Sequence, residues 1–344
     1  MKQKVLIVDD SPFIRRLLTD WIKNEADFEV VGTAANGNEA VALANQLKPD
    51  VITMDVEMPI RDGISALEEI MDVCPTAVLM VSSITTQGAA ATLRALELGA
   101  YDFVTKPQGS NSLKFIGSKE ELLEKLRGAK SAKLHKTLRR SAPVKAAEGT
   151  GKDRVVLIAS STGGPRALAN LWEGLPKGFE AAILMVQHMP AGFTESLAKR
   201  LDSMGTVPCR EAKHGDVVTP GQALLAPGGK HMIVRNSGQI ELTNEAPIHG
   251  VRPAADHLFL SAAGVYGKQA LGVILTGMGK DGAEGAVTLR KVGAKVYGES
   301  EDTCTIYGMP KAAKNLDGID AEFGIHEMAS AIVAGLKERN RRAA

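Results

Sequence analysis

Cysteine is scarce in this 344-residue chain: Cys74, Cys209 and Cys304 stand far apart, with no CxxC pair and no histidine at metal-ligand spacing. That spacing argues against a disulfide framework or a zinc cluster and predicts buried, reduced thiols. Charge of one sign is not in excess either, since the formal net charge is +1; a chain-wide nucleic-acid surface is not expected. Long apolar runs are missing: none approaches the roughly 18–20 residues needed to span a bilayer. The start, MKQKVLIVDD, is basic, but its short apolar run ends in two aspartates; it reads as a first strand and not a signal peptide. A cytoplasmic protein without membrane insertion is expected. What is present is 44% apolar and 24% charged residues over a length sufficient for two domains, the mark of a globular chain.

Over the first hundred residues short β-rich runs alternate with helical patterns. KVLIV (4–8), EVVGTA (29–34), DVITM (50–54), AVLMV (77–81) and DFV (102–104) read as strands. Such β/α units predict a parallel sheet with helices on both faces, because parallel strands need crossover connections. From about Pro107 to Asp153 the alternation stops. KEELLEKLRGAKSAKLHKTLRR (119–140) predicts a basic helix and SAPVKAAEGTGKD (141–153) a tether, so 108–152 reads as a linker. Alternation resumes after Arg154, with VVLIA, AAILMVQ, ALLAP, HMIVR, QIELT, ALGVILT and AKVYGE as strands. The second domain is placed at 153–338, with 339–344 as a tail. Its middle, 223–243, has several short strands without helices, which predicts an antiparallel excursion within a doubly wound α/β domain.

Asp9 and Asp10 close the first strand and Asp55 the third. In an open parallel sheet both places face one crevice. Three carboxylates there require a cation among them, either Mg2+ with its preference for oxygen ligands or an ammonium group. Lys106 can supply the ammonium and Ser82 a hydroxyl on the same rim. VDDSPFIR, TMDVEMPIRDG, LMVSS and DFVTKP resemble the response-regulator receiver domain across residues 1–107. The resemblance implies a flavodoxin-like five-stranded domain in which Asp55 accepts a phosphoryl group from a histidine kinase. It further implies that Asp9, Asp10, Asp55 and the carbonyl of Glu57 hold Mg2+, that Lys106 pairs with the phosphoryl oxygens, and that Ser82 follows the phosphoryl group inward. Phe103 falls where that family carries an aromatic switch residue, often Tyr.

IASSTGGP (158–165) poses the main question of the second half. It is not GxxxxGK(S/T), since no lysine follows the glycines, and it is not GxGxxG. A dinucleotide site would have to use VILTGMGKDGAEGA (273–286), a second glycine-rich turn. The nucleophile-elbow spacing, small residues two before and two after a serine, is met by Ala159 and Gly163 around Ser161. Ser160 fails it and reads as a neighbour whose smallness matters more than its hydroxyl. A serine needs a base beside it. Of seven histidines, His188 alone follows directly on a core strand. For the orienting carboxylate, Asp281 follows the strand LGVILT, and Asp216 and Asp256 compete with it.

IASSTGGP, MVQHMPAGFTESLAKRL, LAPGGKHM and LTGMGKDGAEG resemble the catalytic domain of the chemotaxis receptor methylesterases over about 153–338. The resemblance implies hydrolysis of glutamyl methyl esters, and deamidation of particular glutamines, on the cytoplasmic domains of chemoreceptors. Ser161 would be the nucleophile, His188 the base and Asp281 its orienter. Backbone donors near Met278 and the serine turn would form the oxyanion hole, and Thr162, Gly163 and Gly164 would admit the substrate closely. No cofactor is implied for the hydrolysis. The domain order implies control by phosphorylation of Asp55. The competing expectation is a phosphorylation-driven binding module whose second domain is catalytically silent.

Overall fold

The computed structural model describes residues 2–83, 85–106, 112–134, 141–142, 144, 151 and 153–343. It divides into two compact units, Met1–Thr137 and Leu138–Ala344. Much of the expected linker, including 135–140 and 145–150, and Pro107 lie outside the described residues.

In the first unit the strands β1 (Gln3–Val8), β2 (Phe28–Ala34), β3 (Val51–Asp55), β4 (Ala77–Ser82) and β5 (Asp102–Thr105) alternate with helices α1 (Pro12–Lys23), α2 (Gly37–Leu47), α3 (Gly63–Val73) and α4 (Thr86–Glu97). All five strands are parallel, in the order β2-β1-β3-β4-β5. The side chains of Ser11, Asn36, Asp62 and Thr85 each accept a backbone N–H in the first turn of the following helix. These caps fix where the helices begin.

The helix expected over 119–140 instead runs from Ser112 to Ala129 as α5. It belongs to the first unit. Leu122, Leu123, Leu126 and Ala129 are buried, the Lys125 ammonium donates to the Phe103 carbonyl at 2.6 Å, and Gln3 donates to the Leu126 carbonyl at 2.9 Å. Arg127 pairs with Asp27 and Glu25. The apolar stripe at helical spacing ends at Ala129, and the lysine-rich stretch beyond it has no such stripe to bury.

The second unit contains β6 (Val155–Ser160), α6 (Gly164–Gly174), β7 (Ala182–Gln187), α7 (Phe193–Ser203), β8 (Cys209–Glu211), β9 (Ala223–Leu225), β10 (His231–Val234), β11 (Ile240–Thr243), α8 (Ala255–Tyr266), β12 (Ala270–Ile274), α9 (Ala283–Lys291), β13 (Lys295–Glu299), α10 (Met309–Asn315), β14 (Ala321–Phe323) and α11 (Ile325–Ala343). Its main sheet is parallel throughout, in the order β14-β13-β12-β6-β7-β9-β8. Two edge strands, β8 and β14, escape the sequence pattern because three residues carry no readable period. The antiparallel excursion is narrower than expected: β9 joins the main sheet, and the antiparallel part is the hairpin β10–β11 with an isolated bridge from Gln239 to Val217. Its Met232, Val234 and Ile240 share one buried cluster with Leu258 and Phe259 of α8. Helix α11 continues to Ala343, into the stretch expected as a tail. None of the three cysteines is in a disulfide, and all three are buried. Among the described residues no helix is long and apolar enough to cross a membrane.

The chain leaves β6 to one side for β7 and returns on the other side as β12. The crevice at the carboxyl ends of β12, β6 and β7 is therefore a topological switch point, where open α/β sheets bind ligands.

Candidate active site

Ser161 is the first residue beyond β6. Its N–H donates to the Thr276 carbonyl at 3.0 Å, and its carbonyl accepts the Gly164 N–H at 2.7 Å, closing the turn into α6. Gly163 has φ of 79°, and a Cβ there would lie 2.3 Å from Thr305 Oγ1. A Cβ at Gly164 would lie 1.9 Å from Gln187 Oε1. Both glycines thus make room for the chain's own side chains, which is a tighter requirement than the expected approach of substrate. Thr162 is buried, and its carbonyl accepts the Thr276 hydroxyl at 3.0 Å.

His188 follows β7, and its N–H donates to the Ser160 carbonyl at 3.1 Å. Its Nε2 lies 2.7 Å from Asp281 Oδ2. Asp281 is 2% exposed. Burial alone would raise its pKa. The hydrogen bond and charge of His188, with the N–H groups of Ala255 and Asp256, outweigh that and hold the carboxyl below the usual range. An ionised Asp281 keeps the proton on His188 Nε2 and leaves Nδ1 as the lone pair. Of the competing carboxylates, Asp216 is tied to Arg210 at 2.5 Å, away from His188. Asp256 is buried next to Asp281 and meets His249 Nε2 at 3.2 Å. The ends of β6 and β7 and the loop from β12 into α9 therefore bring Ser161, His188 and Asp281 to one crevice. Met278 lies on its rim, next to Gly277, and the Ser161 and Gly277 N–H groups donate to the carbonyls of Thr276 and Ile306.

Several anchoring groups are not evident from the motifs. Gln187 accepts the Ser160 hydroxyl at 2.7 Å and donates to the carbonyls of Ser161 at 2.9 Å and His188 at 3.2 Å. One amide thus ties the serine turn to the histidine. This corrects the reading of Ser160, whose hydroxyl holds Gln187. A glutamine ending an otherwise apolar strand was the available signal. Thr276, which holds Ser161, donates its own N–H to Glu299 at 2.8 Å.

Glu299 is 1% exposed and accepts the Thr303 hydroxyl at 2.9 Å. Burial pushes its carboxyl up to about 7, against the donors from Thr276, Thr303 and Cys304. The folded state then binds this proton more tightly than the unfolded chain, so stability falls as pH rises from the ordinary glutamate range through about 7. Glu299→Gln can keep the Thr276 acceptor and donate to a reversed Thr303 hydroxyl. We expect it to stabilise the second unit at pH 8 by on the order of 3 kcal/mol, and far less at pH 5. Thermal unfolding of the full chain at both pH values checks this. A variant that melts below wild type at pH 8 would overturn it.

The first unit carries a second polar cluster. Asp9 and Asp55 are buried, Asp10 is exposed, and one oxygen of each lies within 4.8 Å of the others. Lys106 Nζ is 2.6 Å from Asp55 Oδ2 and 3.1 Å from Asp9 Oδ2. The second contact lies outside hydrogen-bond geometry, so Asp9 Oδ2 is buried without a hydrogen-bond partner. Burial pushes the Asp55 carboxyl up to about 6, while Lys106 pulls it down. Burial lowers Lys106, but Asp55 and Asp9 prevail and raise it. An orphaned carboxylate oxygen beside two more carboxylates is an all-oxygen donor set that suits Mg2+. Glu57 is exposed, with its N–H 3.4 Å from Asp55 Oδ1. Ser82 is buried and turned toward α4, where its Oγ accepts the Thr92 hydroxyl at 2.7 Å. Phe103 is buried, with the Lys125 ammonium 5.2 Å from its ring centre.

The chain matches the CheB methylesterase family over residues 156–332 and the response regulator receiver domain over 5–116. It is 45% identical over 352 aligned positions to a protein-glutamate methylesterase/protein-glutamine glutaminase of Symbiobacterium thermophilum, covering 97% of each chain. A protein of the same name from Thermotoga maritima is 47% identical over 318 positions, covering 90% of this chain and 91% of that one. Among solved structures, the T. maritima CheB methylesterase catalytic domain is similar with a TM-score of 0.51 and 40% identity, covering 53% of this chain and 97% of that one.

Proposed function

This chain belongs to the CheB methylesterase family, with a receiver domain ahead of the hydrolase, and from that premise we propose that Ser161, His188 and Asp281 carry out its reaction. The protein is a phosphorylation-regulated protein-glutamate methylesterase/protein-glutamine glutaminase. The observation that carries the site assignment is the pairing of buried Asp281 with His188 at 2.7 Å beside the Ser161 turn.

Ser161 Oγ attacks the carbonyl carbon of a glutamyl methyl ester while His188 Nδ1 takes its proton. The tetrahedral oxyanion is met by the Met278 N–H and by the serine turn at the head of α6, where the helix dipole is positive. Collapse breaks the carbon–oxygen bond to the methoxy group, and His188 returns the proton to release methanol. Water, deprotonated by the same nitrogen, then cleaves the acyl-enzyme to glutamate and free Ser161. With a glutamine substrate the leaving group is ammonia. Substrates are the cytoplasmic domains of chemoreceptors, which fits the absence of any membrane-spanning helix among the described residues.

In the first unit Asp55 accepts the phosphoryl group from a histidine kinase. Asp9, Asp10 and the Glu57 carbonyl, with Asp55, would hold Mg2+, which neutralises charge on the phosphoryl oxygens. Lys106 pairs with those oxygens, and Ser82 and Phe103 carry the change outward.

The test is methanol release from methylated receptor by the full chain, with and without a small-molecule phosphodonor and Mg2+. Release that rises with the phosphodonor is expected. Asp55→Asn should abolish the rise, and Lys106→Ala should reduce it at least about tenfold, as loss of one charge-stabilising partner does in phosphoryl chemistry. No release under any condition would favour a silent second domain.

A further inference from the structure

Asp281 does more than face His188. Its Oδ2 also accepts the Ala255 N–H at 2.5 Å, and its Oδ1 accepts the Asp256 N–H at 3.0 Å. These are the first two amides of α8, a helix whose own N-cap residue, Ala254, offers no side-chain cap. The reverse contact exists as well. Asp256, in the first turn of α8, accepts the Gly285 N–H at 2.7 Å and the backbone of Gly282. Those amides open α9, whose N-cap Gly282 likewise has no side-chain cap. Each helix is therefore capped by a carboxylate from the other's entry. Asp256 is 3% exposed, and His249 Nε2 meets its remaining oxygen at 3.2 Å from the solvent side.

Two buried carboxylates this close repel, and burial together with the charge of Asp281 raises the Asp256 carboxyl. Two helix N-termini oppose that repulsion. Capping alone could be met by a neutral residue on each helix. The crossed arrangement adds something else: the start of α8 cannot move without moving the oxygen that orients His188.

Building on the hydrolase reading above, we propose that Asp256 is a positioning residue for Asp281, locking α8 to α9 so that the two amides of α8 hold the orienting carboxylate in place. The decisive property is its acceptor oxygen on α9, not its charge. Asp256→Ala leaves the Gly285 N–H unsatisfied and frees the start of α8, whereas Asp256→Asn keeps the acceptor.

The experiment compares wild type, Asp256→Ala, Asp256→Asn and Ala262→Gly as full chains under phosphorylating conditions. Ala262→Gly weakens α8 further along the helix without touching either carboxylate. In Asp256→Ala, kcat for methanol release should fall about tenfold with KM unchanged, the size expected when a catalytic group loses its support. In Asp256→Asn it should stay within about threefold of wild type, since the cap survives. Ala262→Gly should lower the melting temperature but not kcat. A second readout needs no ester: hydrogen exchange of the Ala255 amide should be protected in wild type and Asp256→Asn and fast in Asp256→Ala. Equal Ala255 protection in all three, or an Asn variant as slow as the Ala variant, overturns the proposal. Absence of methanol release from wild type would instead count against the hydrolase reading, and the exchange measurement would still decide the positioning role. Should Asp256→Asn fail to fold by circular dichroism, Asp256→Ser, which also retains an acceptor, replaces it with the same expectations.

Discussion

Ser161→Ala should lower kcat for methanol release by about 10⁴–10⁶-fold, whereas Ser160→Ala should lower it by no more than about tenfold. The two serines are adjacent, yet β6 points them differently. Ser160 is the last strand residue, fully buried, with its hydroxyl on Gln187. Ser161 is past the strand, partly exposed, at the opening of the turn. Removing the Ser160 hydroxyl leaves Gln187 Oε1 without its donor, which costs about 1–3 kcal/mol of stability. Because Gln187 also holds the carbonyls of Ser161 and His188, a modest loss of rate should accompany that cost, chiefly in kcat. Removing the Ser161 hydroxyl leaves the turn, Gln187 and Thr276 contacts intact, so Ser161→Ala should melt like wild type and retain KM. A Ser160→Ala protein that is silent beside an active Ser161→Ala protein would transfer the nucleophile role.

How far the molecule could be read from its residues depended on the reach of each signal. The strands β1, β3, β4, β6, β7 and β12 are runs of apolar residues long enough to name themselves; Asp55 and Ser82 end theirs, Asp9, Ser161 and His188 follow theirs directly, and Asp281 lies in the loop after β12. Strand ends in a parallel sheet share one rim, so those residues could be grouped without coordinates. The supporting groups could not. Gln187, Glu299 and Asp256 act on partners 26, 23 and 29 positions away in the sequence; the place of Gln187 at the end of an apolar strand hints at burial, but nothing in local spacing names the partner of any of the three. Helix α5 differs from its expected place for a related reason: its lysines and arginines read as a basic helix of a linker, but Lys125 and Arg127 find acidic and carbonyl partners on the first unit. The three-residue strands β8 and β14 owe their existence to the neighbours β9 and β13, which is tertiary information.

Asp281→Asn should reduce kcat for ester hydrolysis by about 10⁴-fold with little change in KM, as replacing the orienting carboxylate does when the tautomer of the base is lost. The geometry here makes the loss specific. Both oxygens of Asp281 face donors: Oδ1 the Asp256 amide, Oδ2 the Ala255 amide and His188 Nε2. An asparagine has one oxygen. If it serves the Asp256 amide, its NH2 group replaces Oδ2, opposes the Ala255 amide and donates to His188 Nε2, which drives the ring proton to Nδ1 and removes the lone pair that Ser161 needs. If it turns the other way, the NH2 group opposes the Asp256 amide, and the start of α8 must shift. Neither outcome leaves a competent base. Relief of the repulsion with Asp256 should offset part of the lost capping, so the variant is expected to fold, and thermal melting checks that. If Ser161, His188 and Asp281 act as one unit, the double variant Ser161→Ala, Asp281→Asn should be no slower than Ser161→Ala alone, because the second change removes assistance to a nucleophile already absent. Rates of the two single variants that multiply in the double variant would instead place Asp281 outside the catalytic unit.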